Sequence, residues 1–148
     1  MARIRDSIEI PATAETVYAY WMHFEIYPEF LSGIEEVREL GAGRLHWRGR
    51  INGQMREWDA EVVETVADTR LVWSGPEHVN DTIVEVRPTE FGTTRLTIEA
   101  EIEPSEHTDD AVGYLEEASR RLHLDLERFR ERLLYDLPAP HKPPSLPH

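Results

Sequence analysis

TTRLTIEAEIE, residues 93–103, alternates without a slip, whereas DDAVGYLEEASRRLHLDLERFRERLL, residues 109–134, does not alternate at all. In the first stretch Leu96, Ile98, Ala100 and Ile102 share one parity, and Arg95, Thr97, Glu99 and Glu101 the other. That period of two belongs to a strand with one dry face and one wet face, as in an antiparallel sheet. In the second stretch Val112, Leu115, Ser119, Leu122, Leu126, Phe129 and Leu133 fall on a single helical stripe. A helix over Asp109 to Leu134, about 26 residues, reaches roughly 39 Å. It is long enough to lie across a whole sheet, and Thr108 or Asp109 can cap its start.

Working back toward the N-terminus, strand patterns repeat between turn signals. Ile4, Ile8 and Ile10 share a parity against Arg5, Ser7 and Glu9, and Pro11 closes that strand. Thr13 is an N-cap for a helix over Ala14 to Phe24, with Val17, Tyr20, Trp21 and Phe24 on its apolar face. Pro28 suits the first position of a second short helix, Pro28 to Leu31, stopped by Ser32-Gly33. The strands that follow are Ile34 to Leu40, Arg44 to Ile51, Met55 to Val66, Arg70 to Ser74, Val79 to Arg87, and Thr93 to Glu103. Asn52-Gly53 is a strong hairpin signal. Strands joined by such short loops must run antiparallel. The dry face of the sheet needs a cover, and only the last helix is long enough to supply it. The expected fold is therefore α+β: a seven-stranded antiparallel sheet wrapped around a C-terminal helix, with two short helices between strands one and two. Residues 1–137 form one domain in this reading, and the proline-rich 138–148 is a flexible tail.

Composition narrows the chemistry. A chain of 148 residues folds without staples, and with no cysteine it has no disulfide, thiol nucleophile or Cys-ligated metal. A formal charge of -13 repels phosphate backbones and anionic lipid heads, which argues against nucleic acid and stable membrane attachment as partners. No signal-like h-region or membrane-length apolar run is present, so a cytoplasmic location is expected. His46, His78, His107 and His123 show no metal-ligand spacing. There is no phosphate loop, serine elbow or HExxH, and no cofactor is expected.

Parity assigns an inner face. Leu45, Trp47 and Gly49, then Trp58, Ala60 and Val62, then Leu71 and Trp73, then Thr82, Val84 and Val86 should point in, together with Ile98. Gly49 and Ala60 are small, so the space between sheet and helix is expected to be under-filled, leaving an apolar pocket with a few polar anchors. For each of these residues ordinary core packing is the alternative. Trp58 and Trp73 are the best ligand-lining candidates, since a flat ring can stack on them. Leu115, Leu122 and Tyr114 would line the helix side. Asn80 and Thr82 can offer hydrogen bonds from the sheet. Polar candidates for chemistry are Arg56, which shares the parity of Trp58, His123 beside the helix stripe, and Tyr27. An exposed edge arginine and a boundary histidine are the simpler readings of the first two.

Four stretches, in this order, resemble the START-like helix-grip superfamily, within it the polyketide cyclase/dehydrase and coenzyme-Q-binding START group. They are Ser7-Ile8-Glu9-Ile10-Pro11-Ala12 with Val17 and Trp21, then Tyr27-Pro28-Glu29-Phe30, then Glu57-Trp58-Asp59-Ala60-Glu61-Val62, then Asp125-Leu126-Glu127-Arg128-Phe129. The resemblance implies a cavity between sheet and helix whose mouth lies near the short helices, with Tyr27 and Phe30 at the gate. It also implies a small hydrophobic or amphipathic ligand such as a lipid, quinone or polyketide. Some members are enzymes and many are carriers or sensors. In the cyclase branch a cavity-side arginine holds the polyketide, and the matching position here is Val62; the family's pocket tyrosine falls near Ile34. Both departures remove polar groups from the pocket. Carrier or sensor is thus the leading expectation, with a cyclase or dehydrase and a protein-interaction module as alternatives. The acidic rows Glu57-Asp59-Glu61 and Glu99-Glu101 are the surface a protein partner would meet.

Overall fold

The computed structural model describes residues 2–51, 53–75, 81–102 and 111–137. Seven strands run in chain order as β1 (Ala2–Ile10), β2 (Ile34–Gly41), β3 (Arg44–Ile51), β4 (Gln54–Val66), β5 (Arg70–Ser74), β6 (Thr82–Pro88) and β7 (Thr94–Ile102). They form one antiparallel sheet in the order β1-β7-β6-β5-β4-β3-β2. Helix α1 (Ala14–Met22) and a 3-10 helix (Phe24–Glu29) separate β1 from β2, and α2 (Ala111–Asp136) closes the chain. The α+β architecture read from the periodicities is the architecture found. The parts of the expected strands at 79–80 and 103, the expected cap at 108–110 and the proline-rich 138–148 lie outside the described residues.

The inner face follows the expected parity. Pairing across the sheet sets Leu71 beside Val84 and Val84 beside Ile98, all buried. Val86 beside Leu96 extends the same dry surface. Thr13 caps α1 by accepting the Thr16 amide at 3.2 Å.

The early helices differ from expectation. The second one begins at Phe24, not Pro28, and ends at Glu29 with Pro28 inside it. The reason is visible in the sequence: Phe24, Tyr27 and Phe30 recur every third residue, and side chains three apart eclipse in a 3-10 helix. All three are buried. The carbonyl of His23 accepts from the Ile26 amide at 3.2 Å, which ends α1 at Met22 instead of Phe24.

Gly49 corrects a second expectation. Its missing side chain leaves no void, because a Cβ there would stand 2.7 Å from the carbonyl oxygen of Gly33 and 3.2 Å from Cδ1 of Ile34. The Gly33-Arg50 backbone hydrogen bond, 2.7 Å, fixes that approach. Gly33 itself has φ 83°, a conformation that favours glycine. Replacing Gly49 by alanine therefore forces two backbones apart. We expect Gly49→Ala to lose about 2 kcal/mol of unfolding free energy in a urea titration, with the native circular dichroism spectrum retained.

Candidate functional site

Helix α2 is held unevenly. Leu126, Phe129 and Leu133 in its C-terminal half are buried, whereas Leu115 and Leu122 are only half-buried. The Phe129 ring centroid lies 5.0 Å from those of Trp21 and Phe30, and 6.3 Å from that of Tyr20. Polar ties follow the same half. Buried Asp125 accepts from the Ser32 amide at 3.2 Å and from its hydroxyl at 3.3 Å, and Arg128 donates to it at 2.6 Å. Arg132 pairs with Glu29, and the Tyr20 hydroxyl donates to Asp136 at 3.1 Å. Going back along the helix, His123 meets Asp6 of β1 at 2.8 Å. Asp6 is the cross-strand partner of Ile98. Leu115 lies eight positions before His123, roughly 12 Å along the helix at 1.5 Å per residue and away from the early helices.

Exposure of the inner face grows in that direction. Leu71 and Val84 are 0 % exposed. The next transverse row, Val62, Trp73, Thr82 and Ala100, is half-buried except for Trp73. Trp58 is half-buried as well, and its ring stacks on that of Trp47 with centroids 6.0 Å apart and planes 14° from parallel. The floor beneath is aromatic. Tyr27 touches Trp21, Trp47 and Trp73 with centroids 5.3, 5.6 and 5.5 Å away. Ala60 is buried beside Leu45 on the same face.

Tyr27 and Phe30, which the resemblance puts at a gate, are the closed end of this arrangement. The Tyr27 hydroxyl donates to the Trp21 carbonyl at 2.5 Å, and burial holds its pKa well above the ordinary tyrosine value. Its proton is committed to the backbone. Arg56 is exposed at the rim, two residues before Trp58, where its guanidinium lies 3.5 Å from Gln54. His123 is exposed too and occupied by Asp6. The three polar candidates are therefore far apart in role: one in the floor, one on the rim, one on the outer flank of α2. Tyr114 lies in the first turns of α2, but its side chain, like all of Asn80, is outside the described residues.

Sequence reasoning missed Asp125. Its signal is an acidic residue three after the stripe position Leu122 and four before Phe129, where only a partnered carboxylate can face inward. It also missed a depression of about 400 Å³ on the opposite, outer face of the sheet, floored by Val63, Val72 and Ile83. That hollow forms where a bulge shifts the β4–β5 register between Val62 and Glu64. Its cation Arg70 is already tied to Glu64 and Glu85 at 2.7 and 2.9 Å. Among the described residues no three His, Asp or Glu side chains are placed to hold a metal, and no helix is long and apolar enough to cross a membrane.

With this geometry in view, the comparisons are specific about kinship. The model of the family described as polyketide cyclase / dehydrase and lipid transport matches residues 10–127. The chain belongs to that family. An uncharacterized 17.2 kDa protein of Streptomyces lincolnensis is 29% identical over 133 residues, covering 88% of this chain and 89% of the relative. Among solved structures, a START superfamily protein from Mycobacterium smegmatis superposes with a TM-score of 0.78 at 17% identity, over 90% of this chain and 97% of its own. A Deinococcus radiodurans protein gives 0.73 at 22%, over 92% and 100%. The di-domain ARO/CYC BexL gives 0.71 at 14%, over 93% of this chain and 48% of that one. These likenesses are of fold, and they establish the START-like helix grip.

Two predictions follow from the ties just described. Asp125→Ala strands the Ser32 amide and should cost about 2 kcal/mol in denaturant unfolding, whereas Leu124→Ala on the exposed side of the same turn should cost little. On the outer face His46 bridges Asp59 at 2.7 Å and Glu57 at 2.8 Å. Hydrogen bonds to Asp59 first, then Glu57, raise the His46 pKa above 6.5, and the same bonds lower those of both carboxylates. The stabilisation from a raised imidazole is complete below its unfolded pKa and is lost as pH rises through the folded one. That from a lowered carboxylate is present above its unfolded pKa and is lost on acidification. The trio is thus most favourable between roughly pH 4.5 and 6.5. An NMR titration should place the His46 midpoint above that of a free histidine, and Glu57→Gln with Asp59→Asn should bring it back down.

Proposed function

We propose that the protein binds one small hydrophobic or amphipathic molecule, a lipid, quinone or polyketide-like compound, between the sheet and the N-terminal half of α2. In this reading it acts as a carrier or sensor. The observation that carries the proposal is the gradient along the inner face. Side chains are sealed at the aromatic floor and half-exposed at Trp58, Val62, Thr82, Leu115 and Leu122, all of them apolar or small. Incompletely covered apolar surface of this kind favours an apolar guest. Trp47, Ala60, Leu71, Trp73, Val84 and Ile98 supply the deeper wall, and Tyr27 and Phe30 the base. Asp6 and His123, beside this face, are engaged with each other, which supports binding over catalysis.

A cyclase or dehydrase is the second reading, favoured by the family description and by the fold shared with an ARO/CYC protein. In it the cavity acts as a mould that brings a reactive methylene against a carbonyl, with the exposed Arg56 at the rim as a candidate cation. A protein partner on the acidic outer rows is a third possibility, with the Glu57-Asp59-Glu61 row facing solvent.

The binding proposal is tested by isothermal calorimetry of delipidated protein with oleate and with 1,4-naphthoquinone. We expect at least one to bind with one-to-one stoichiometry, and Trp58→Ala to weaken it by about 10-fold through loss of the stacking face. Absence of heat with both ligands, together with no co-purifying molecule in native mass spectrometry, would remove this function.

A further inference from the structure

Two indole N–H groups are buried without an acceptor among the described residues: Nε1 of Trp21 and Nε1 of Trp47. The residues are 2 % and 4 % exposed. A buried donor left unmatched is costly, and native proteins rarely tolerate one without a reason. Neither group has an obvious local remedy. The rings around Trp47 are those of Tyr27, Trp58 and Trp73, at 5.6, 6.0 and 5.8 Å. The one hydroxyl among them, on Tyr27, is directed at the Trp21 carbonyl. An oxygen that arrives with a ligand would supply the missing acceptor.

The two indoles differ in reach. Trp21 lies in the floor, enclosed by Tyr27, Phe30, Trp73 and Phe129. Trp47 has the half-buried Trp58 as its stacked neighbour, so one ring separates it from the open side. A guest that displaces or slides along Trp58 meets Trp47 first.

We infer that the indole N–H of Trp47 selects the ligand by donating a hydrogen bond to an oxygen carried on a flat ring system, a carbonyl or quinone-type oxygen. This rests on the binding reading above and narrows it: a hydrocarbon of the same shape is the poorer guest, because it leaves the donor unmatched. The stacked Trp47-Trp58 pair fits the plane of such a ring, and the N–H at its edge fits an in-plane oxygen.

The test compares 1,4-naphthoquinone with naphthalene, by calorimetry and by the indole proton signals of the wild-type protein. We expect the quinone to bind about 10-fold more tightly, the strength of one recovered hydrogen bond. Trp47→Phe keeps an aromatic ring and removes the donor, so the ratio of quinone to naphthalene affinity should fall to about one, whatever the change in absolute affinity. Trp21→Phe should leave the preference in place. If Trp47→Phe does not fold, the indole proton of Trp47 decides: it should move downfield with the quinone and not with naphthalene. Equal binding of the two guests to the wild-type protein overturns the inference while leaving the cavity reading intact, and so does a preference erased by Trp21→Phe instead. Failure of both guests to bind overturns the two together.

Discussion

Phe129 ties two early elements to α2. Its ring meets Trp21 and Tyr20 from α1 and Phe30 from the end of the 3-10 helix, and it is itself fully buried on α2. Leu126 and Leu133, also buried, flank it by about one turn on the same stripe. The polar ties of Asp125, Arg132 and Asp136 gather around this point and turn an apolar contact into a fixed crossing. A long helix clamped at one end by packing and hydrogen bonds leaves its other half to be positioned mainly by where the clamp aims it. The half-covered inner face is the geometric result.

Much of this was legible in the sequence, because the two periods that define the fold differ so plainly. The strands from Ile34 to Ser74 were readable almost to the residue, since Gly41-Ala42-Gly43, Asn52-Gly53 and Ala67-Asp68-Thr69 punctuate them. Inner-face parity was readable for the same reason. The 3-10 helix was misplaced because a proline drew the start of a helix to itself, while the three-residue aromatic repeat around it carried the stronger message. Gly49 was misread as slack because smallness in one dimension says nothing about what approaches from the side; there, it is the backbone of Gly33.

The site was less legible than the fold. Parity identifies which residues face inward, but it cannot tell the sealed Val84 from the half-open Val62. That distinction depends on where α2 is clamped, and hence on long-range contacts such as Asp125 with Ser32, 93 residues apart. The unmatched indoles are invisible to periodicity altogether, because a tryptophan reads as apolar until its neighbours are known to lack an acceptor.

β1 has one further consequence. Its partner in the sheet is β7, pairing Ala2 with Ile102 and Ile10 with Thr94, whereas β2 through β6 each pair with the strand next in the chain. A growing chain can thus zip up its central meander from local hairpins early. The first strand must wait, unpaired, until nearly everything else has been made, because closing so large a loop carries an entropic penalty that only the completed edge repays. The waiting segment is rich in charge, with Arg3, Arg5, Asp6 and Glu9 spaced along it. That composition is suited to keeping a solitary strand from sticking to its siblings during synthesis.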